Sequence, residues 1–401
     1  MLIYEYKLDG SKAQYAAIDE AIRIVQFIRN KCLRLWMDMQ GIHKNDLQCY
    51  CATLAKEFPF AARLNSQARQ ASADRTWFAI SRFYENCKTH KPGKKGYPKF
   101  QHDNRSVEYK QTGWKIESDG KHITFTDGCG IGRFRLVGNK KQRIAEFSPK
   151  QIKRVRIVKR SDGYYAQFAV DTSRYIEHVS TGKQTGIDMG LKEFLTDSDG
   201  KTVANPRHLR KAEKRLKKLH RRLSRKQKQS QNRKKARKAL AKAYLKVERQ
   251  REDFARKTAS TLVSSHDLIA YEHLQIRNLV KNHKLAKSIS DASWGRFLSW
   301  INYYGVMHGI VVIAVEPAFT SQDCSTCGTC IKKSLSVRTH TCTGCGLVLD
   351  RDHNAAINIL AKALDRTGGQ SETGTLSRVR NASGQTASTR LSQRKTSKRA
   401  G

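Results

Sequence analysis

Residues 324–359 read CSTCGTCIKKSLSVRTHTCTGCGLVLDRDHNAAINI, which places two cysteine pairs directly ahead of an acidic helix start. Each pair has the CxxC spacing of a zinc knuckle, in which a tight turn supplies two sulfurs to one tetrahedral ion. A closed site of this kind stabilises a fold and takes no part in chemistry. The spacing therefore predicts one structural Zn²⁺, held by Cys324, Cys327, Cys342 and Cys345.

Two disulfides are the alternative explanation for these four cysteines, but nothing in the sequence indicates export. Cys330 competes for the register of the first knuckle, and we interpret it as a spare thiol. The remaining cysteines are scattered along the chain, which is typical of core positions or inert thiols. They are Cys32, Cys49, Cys51, Cys87 and Cys129.

Three acidic residues occupy positions where an ordinary core has none. Asp188 lies inside the strand-like GIDMG, Glu272 closes the apolar stretch LIAYE, and Asp352 stands at the start of the last predicted helix. Buried carboxylates are costly unless they are paired or bind a cation. If the three converge, they form a ligand set for two Mg²⁺ roughly 4 Å apart, which suits in-line phosphoryl chemistry.

Each of these acids also has an ordinary explanation. Asp188 can be a turn residue before Gly190, Glu272 a surface acid at a strand end, and Asp352 a helix N-cap. Asp350 is a rival for the third position because DRD offers two carboxylates. Asp352 is favoured because it directly precedes the helix.

The charge of the chain indicates a polyanionic partner. Its 401 residues include 77 Lys and Arg against 35 Asp and Glu, a formal net charge of +42. Each basic side chain set against a phosphate releases counterions, so nucleic acid is the expected partner. An anionic membrane surface is the competing partner, but the basic segments lack the Trp and Phe face of an interfacial helix.

Membrane-spanning and secreted proteins are not expected from this sequence. The longest apolar run, GIVVIAV at residues 309–315, is far shorter than the roughly 20 residues of a membrane span. The N-terminus MLIYEYKLDG has Glu5 where a signal peptide is apolar. The 38% hydrophobic content is enough for real cores, and the length suggests two or three domains.

The N-terminal half changes from helical to β-type patterning near residue 90. An opening strand over residues 2–8 is followed by helical spacing at about 12–40, 46–58 and 65–87. From about 106 to 172, short alternating runs separated by Asp-Gly turns predict a small barrel, and the first strand is a candidate for the same barrel.

A basic turn, HKPGKKGYPKF at residues 90–100, separates these helices from the strands. Its Gly and Pro residues exclude regular structure. Tyr97 and Phe100 are candidates for stacking on nucleic-acid bases, and packing within the junction explains them at least as well.

A second domain is expected to begin near Gly182 with two strands joined by a turn. A basic helical hairpin follows from about 205 to 264, with leucines at heptad spacing. Beyond it the pattern predicts a strand at 268–272, an amphipathic helix from about Ser290 and a buried strand in GIVVIAVEP. The tail beyond Asp365 has scarcely an apolar residue and is expected to be disordered.

The order of seven motifs resembles the TnpB family, transposon-encoded RNA-guided DNA endonucleases related to type V CRISPR effectors. The resemblance runs from the first strand to about Leu364. The motifs are GIDMG, the basic hairpin, IAYEHLQIRNLVKN, SISDASWG, EPAFTSQDCSTCG, TCTGCG and DRDHNAAINI.

The resemblance implies an α+β multidomain fold, in which a wedge β-barrel carries an inserted helical recognition unit. An RNase H-like (RuvC) α/β domain with an inserted zinc ribbon follows the barrel. The implied boundaries are 1–10 and 90–180 for the barrel, 11–89 for the recognition domain, 181–322 and 347–365 for the nuclease domain with its hairpin at 206–264, 323–346 for the ribbon, and 366–401 for the tail.

The resemblance also implies a catalytic triad of Asp188, Glu272 and Asp352 that holds two Mg²⁺. Because all three acids are present, the chain differs from the nuclease-dead repressors derived from TnpB. The implied activity is RNA-guided cleavage of double-stranded DNA, in which one site cuts both strands in succession. In the family, such cleavage of the empty donor site retains the transposon.

The implied partners are a guide RNA from the transposon end and a target DNA with a short adjacent motif, without an obligate protein partner. Gln67, Gln70 and Gln111 fall where the family reads that motif, although a polar helix face explains them equally well. The expected location is the cytoplasm of a prokaryotic host, in association with the nucleoid.

Two other functions are weighed against this one. An RNA-guided repressor would bind DNA without cutting it, and the intact acids speak against it. A transposase acting directly on transposon ends would need a nucleophilic Tyr beside a paired-His metal site, and the sequence shows no such motif.

Overall fold

The structure is a computed structural model that describes residues 1–138, 144–172, 175–334 and 337–368. Of the tail predicted to be disordered, the first three residues are helical and the rest lies outside the described residues. The chain divides into two compact units. Unit 1 comprises Met1–His178, Arg207–Thr258 and Val306–Gly309, and unit 2 comprises Val179–Pro206, Ala259–Gly305 and Ile310–Gly401.

Unit 1 opens with strand β1 (Leu2–Asp9) and a group of helices at the predicted positions. Ser11 starts the first helix with a capping box, because its hydroxyl accepts the Gln14 N–H while Gln14 accepts the Ser11 N–H. One short helix, which begins at Pro59, was not predicted. The helices are α1 (Lys12–Asp38), α2 (Lys44–Glu57), α3 (Pro59–Ala62) and α4 (Ser66–Lys88).

A seven-stranded antiparallel sheet follows in unit 1, in the order β2-β6-β7-β1-β5-β4-β3. Strand β1 pairs with β5 and β7, so the first strand does join this sheet. The Tyr109 ring lies 5.2 Å from that of Phe125, which shows that the sheet curls and brings its two ends together. The other strands are β2 (Ser106–Tyr109), β3 (Trp114–Ile116), β4 (His122–Phe125), β5 (Gly132–Val137), β6 (Ile152–Arg160) and β7 (Gly163–Val170).

The basic helical hairpin consists of α5 (His208–Ser224) and α6 (Gln231–Ser265). Its apolar seam is built around Leu216, Leu240 and Ala243, while the opposite face of α5 is lined with exposed Lys and Arg. The hairpin residues up to Thr258 group with unit 1, and the functional domain to which the hairpin belongs stays a prediction.

One anchored arginine explains this packing. The Arg249 guanidinium donates to Asp162 Oδ2 at 2.7 Å and to the Tyr165 hydroxyl at 2.6 Å. The same guanidinium lies over the Tyr165 ring, 5.5 Å from its centroid. Charge-assisted bonds combined with stacking fasten α6 to the turn between β6 and β7.

Unit 2 is built on a five-stranded mixed sheet in the order β10-β9-β8-β11-β12. Strand β11 pairs in parallel with both β8 and β12, whereas β9 and β10 are antiparallel. The strands are β8 (Gln184–Asp188), β9 (Glu193–Asp197), β10 (Thr202–Ala204), β11 (Leu268–Glu272) and β12 (Val311–Val315).

The two strands expected near Gly182 are β8 and β9, and β10, which was not predicted, follows them. One prediction for this sheet was wrong. Strand β12 was expected to be buried, but it lies at the edge of the sheet and Val311 is 49% exposed. An edge strand has a neighbour on one side only, and an apolar run is therefore not proof of burial on both sides.

The other elements of unit 2 are helices and the two-stranded ribbon. The helix predicted from about Ser290 is broken at Ser293, whose φ of 58° is left-handed. None of the described helices has the length and apolar character needed to cross a bilayer. The elements are α7 (Ile276–Leu279), α8 (Ala286–Ala292), α9 (Trp294–His308), β13 (Thr339–Thr341), β14 (Val348–Asp350) and α10 (Arg351–Gly368).

Helix α10 lies so close to β8 that only glycine fits at the contact. A Cβ on Gly186 would stand 2.1 Å from the Ala356 carbonyl oxygen and 2.7 Å from the Leu360 nitrogen. Both atoms are helix backbone and have no rotamer to change. The first glycine of GIDMG is therefore what allows the acid-bearing helix to pack on the acid-bearing strand.

Gly186→Ala is expected to lower the free energy of unfolding by about 3 kcal/mol, because the strand and helix must separate. Gly295→Ala is the matched control, since its Cβ would meet only Ile276 Cδ1 at 3.4 Å and alanine favours a helix. Denaturant unfolding of both variants checks this. Equal losses of unfolding free energy in the two variants would contradict the explanation that Gly186 is needed for the close approach of β8 and α10.

Candidate active site and metal centre

Two of the three predicted acids lie next to each other at the carboxyl ends of neighbouring parallel strands in the unit 2 sheet. Asp188 is the last residue of β8, and Glu272 is the last residue of β11. The parallel register pairs Tyr271 with Ile187, one residue before each acid. Neighbouring strands are about 4.8 Å apart, so both carboxylates belong to the same carboxyl edge.

The third acid, Asp352, comes to this edge from the first turn of α10. Its Oδ2 lies 3.9 Å from the position of a Cβ built on Gly190, two residues after Asp188. Asp350 has a different role, because its Oδ1 accepts the backbone N–H of Asp352 at 2.8 Å and of His353 at 3.2 Å. Asp350 is therefore the N-cap, an explanation the sequence had left open for Asp352.

The electrostatics of the three acids favour a bound cation. Burial, followed by the charges of Glu272 and Asp352, raises the pKa of Asp188 to about 8. Burial also raises the pKa of Glu272, against the opposing effects of Thr320 and Lys362. Like charges collected at a partly buried edge are costly without a counter-ion.

An all-oxygen donor set of this kind fits Mg²⁺, a hard cation. The carboxylate oxygens of the three acids do not form a group within 4.8 Å of one another, in contrast to the four sulfurs described below. Ligands that flank a pair of ions can be spread more widely than ligands around one ion. Binding of two Mg²⁺ ions by these acids stays a prediction.

Two arginines contact Asp352, and sequence patterns gave no indication of them. Arg351 lies 3.3 Å from Oδ1, and Arg338 lies 3.5 Å from Oδ2. The Arg338 carbonyl also accepts the Arg351 N–H at 2.7 Å, which ties the ribbon to the start of α10. Both guanidiniums thus offer positive charge beside the acids, where they can attract a phosphate.

Mg²⁺ binding is expected to strengthen about tenfold per pH unit up to about pH 7 and to level off above about pH 9. The reason is that Asp188, whose pKa is raised to about 8, must lose its proton before it can bind a cation. Calorimetric Mg²⁺ titrations at several pH values measure this. Asp188→Asn removes the titrating group, and an unchanged slope in that variant would contradict the assignment.

The four predicted zinc ligands form one cluster. Their sulfurs all lie within 4.8 Å of one another, with Cys324 to Cys345 at 3.6 Å and Cys327 to Cys342 at 3.5 Å. A tetrahedral ion with Zn–S bonds of about 2.3 Å separates its sulfurs by about 3.8 Å. A disulfide would need about 2.05 Å, so the observed spacing fits an ion and not a disulfide pair.

The spare thiol of the ribbon stays outside this cluster. Cys330 is exposed, and its sulfur lies 3.9 Å from Gln322 Oε1. Within the cluster, hydrogen bonding to Thr329 lowers the pKa of Cys327 to about 6. A thiol that ionises this readily is suited to bind Zn²⁺.

The residues proposed for reading the DNA motif lie in unit 1, and the structure brings two of them together. Gln67 Oε1 accepts the backbone N–H of Gln111 at 2.8 Å and of Thr112 at 3.0 Å. Both lone pairs of this oxygen are thereby used, so a bidentate pair with adenine requires these bonds to open. Gln70 lies one turn further along α4, partly exposed.

The two aromatic residues of the basic turn are partly packed. The Tyr97 ring lies 5.7 Å from Trp36 and 5.2 Å from Phe83, yet Tyr97 remains 52% exposed. Phe100 is 37% exposed. Both side chains keep exposed surface, and base stacking by these residues stays a prediction.

Two family models match the chain. The OrfB_IS605 model, described as "Probable transposase", matches residues 167–283, and the Cas12f1-like TNB domain model matches residues 294–359. The first match contains Asp188 and Glu272, and the second contains the cysteine cluster and Asp352. The resemblance to the TnpB family is confirmed.

Curated relatives include proteins named as RNA-guided DNA endonucleases and as TnpB-like. A Streptomyces pristinaespiralis protein, "Putative RNA-guided DNA endonuclease", is 39% identical over 46% of this chain and 46% of its own length. An Escherichia coli K12 protein, "Putative RNA-guided DNA endonuclease InsQ", is 27% identical over 66% of this chain and 68% of its own. A mimivirus "TnpB-like protein L79" is 30% identical over 49% and 42%. The matches to the Streptomyces and mimivirus relatives thus span less than half of those proteins.

Solved structures with a similar fold extend the comparison. A Cas12f1–sgRNA–target DNA complex has a TM-score of 0.51 at 14% identity, covering 86% of this chain and 81% of that one. The mini-RNA-guided endonuclease CRISPR-Cas_phi3 has a TM-score of 0.53 at 10% identity, covering 90% and 92%. The likeness supports an α+β fold with a curled sheet, and at these identities it supports nothing finer.

Proposed function

We propose that this protein is an RNA-guided, Mg²⁺-dependent endonuclease that cuts double-stranded DNA. The observation that carries the proposal is the meeting of three acids from β8, β11 and α10 at one sheet edge, in a chain with TnpB relatives. In this assignment the curled sheet is the wedge barrel, α1–α4 are the recognition unit, and unit 2 carries the RuvC-like site.

Asp188, Glu272 and Asp352 would hold the Mg²⁺ ions. Bound Mg²⁺ supplies activation of the attacking water and stabilisation of the leaving 3′-oxygen. The chain's own residues orient the scissile strand: Arg338 and Arg351 lie against Asp352 and offer cationic groups to its phosphates. When Asp352 serves as a metal ligand, both guanidiniums would be available for that contact.

The proposed nucleic-acid partners are a guide RNA from the transposon end and a target duplex with a short adjacent motif. The exposed basic face of α5 and the net charge of +42 support binding of a long polyanion. In this arrangement base pairing reads the target sequence, and the protein mainly contacts phosphates.

The test is cleavage of a plasmid library with randomised flanking bases by the protein purified with its transposon-end RNA. The expected result is cuts that require the RNA, require Mg²⁺ and enrich one flanking motif. Asp188→Ala is the paired variant, in which the cuts should vanish. Guide-dependent binding without cuts in both proteins would instead support an RNA-guided repressor, and cuts without RNA would contradict RNA guidance.

A further inference from the structure

The segment that leads from the unit 2 sheet into the zinc ribbon is fastened to α10 by two asparagines. Asn354 is fully buried; its amide donates to the Asp323 carbonyl at 2.8 Å and its oxygen accepts the Ser325 N–H at 3.0 Å. It therefore holds the chain on both sides of Cys324.

The second asparagine, Asn358, lies one turn further along α10. Its amide donates to the Thr320 carbonyl at 2.9 Å and to the Asp323 carbonyl at 2.8 Å. The backbone of residues 320–325 is thus held at successive points against the helix that carries Asp352.

Thr320 connects this fastened segment to the acids. It is 2% exposed, and its hydroxyl donates to Glu272 Oε1, which is itself in a buried side chain. The alternative acceptor is the Pro317 carbonyl, at the longer distance of 3.1 Å. A hydroxyl has one proton, so the bond to the carboxylate is the dominant one.

We propose that Thr320 is a positioning residue for Glu272, and that Asn354 transmits the metal state of the ribbon to it. This role presupposes the nuclease function proposed above. A side chain that binds a metal-ligating carboxylate fixes its orientation, and loss of such a partner commonly costs tenfold or more in metal affinity. The bonded groups run from the zinc cluster through Asn354 and Asn358 to Thr320, whose hydroxyl donates to Glu272.

A purely structural role for Thr320 predicts something different. The Thr320 hydroxyl is buried, so removing it would lower the free energy of unfolding whichever group accepts its hydrogen bond. A positioning role additionally requires that metal binding at the acids weakens in the folded protein. Metal affinity, measured apart from cleavage, therefore separates the two explanations.

The experiment compares Thr320→Val, which keeps the shape and removes the hydroxyl, with Thr320→Ser, which keeps the hydroxyl. Mn²⁺ is the probe, and its binding to the full-length protein with its RNA is titrated by electron paramagnetic resonance. Thr320→Val is expected to weaken Mn²⁺ binding about tenfold, and Thr320→Ser to stay close to wild type. Wild-type affinity in Thr320→Val overturns the positioning role.

A double-mutant cycle tests the link to the zinc ribbon. Asn354→Ala is expected to keep one zinc per chain, since the four sulfurs remain, and still to weaken Mn²⁺ binding. Cys342→Ser is expected to weaken Mn²⁺ binding through the same path, so the double variant should lose little more than either single one. If the loss of Mn²⁺ affinity in the double variant equals the two single losses combined, transmission through Asn354 is overturned.

The two proposals fail in different ways. Wild-type protein that does not cut with its RNA, yet loses Mn²⁺ affinity in Thr320→Val, overturns the nuclease function and leaves the positioning of Glu272 supported. Normal wild-type cleavage with unchanged Mn²⁺ affinity in Thr320→Val overturns the positioning role alone. Far-ultraviolet circular dichroism of each variant shows that a folded protein is being compared.

Discussion

Asp352→Asn is expected to lower the rate of guide-dependent DNA cleavage by about 10³-fold or more, while DNA binding is retained. Its carboxylate is one of three that meet at the sheet edge, and the amide that replaces it has no charge to hold a cation. Bound metal contributes several kcal/mol to phosphoryl transfer, and each 1.36 kcal/mol is a factor of ten in rate. Single-turnover cleavage and gel-shift binding, both with the RNA present, measure the two properties.

The matched control is Asp350→Asn, two residues away in the same DRD motif. Asp350 caps α10 through the N–H groups of Asp352 and His353, and asparagine is an equally good N-cap. Cleavage by this variant should therefore stay near wild type. The assignment of the third acid would be wrong if the two variants exchanged behaviour.

Sequence patterns predicted the elements that carry the site because periodicity and turn residues are local signals. The strand around Asp188, the strand that ends at Glu272 and the helix that begins beside Asp352 all lie where the pattern placed them. The four sulfurs also come together, since a knuckle spacing encodes its own geometry.

The residues that support the site could not be predicted in the same way. Thr320, Asn354 and Arg338 act through partners 48, 31 and 14 positions away, and no local pattern indicates which partner a buried polar side chain will meet. Gly186 carried a weak signal, because a glycine inside a strand often marks a close backbone approach. Asp350 and Asp352 could be separated only once the capping bonds were visible.

Cys342→Ser is expected to reduce the zinc content from about one ion per chain to near zero and to abolish cleavage. Cys342 is 2% exposed and its sulfur lies 3.5 Å from that of Cys327, so the variant removes a buried ligand from the four-sulfur site. Structural zinc sites contribute about 10–16 kcal/mol of binding free energy to folding at pH 7, and the ribbon has little apolar core to replace it. Atomic emission of the purified protein measures the zinc.

Cys330→Ser is the control for this variant, because Cys330 is an exposed ribbon cysteine outside the cluster. It should keep its zinc and its cleavage rate. Zinc loss in Cys330→Ser would show that the first knuckle uses the other register. Loss of zinc in Cys342→Ser is expected to disturb the acids because the ribbon is attached to α10. Arg351 donates to the Val337 carbonyl, between the two knuckles, and Asn354 accepts the Ser325 N–H, inside the first knuckle. Metal-free but fully active Cys342→Ser protein would show that the ribbon is dispensable for the arrangement of the acids.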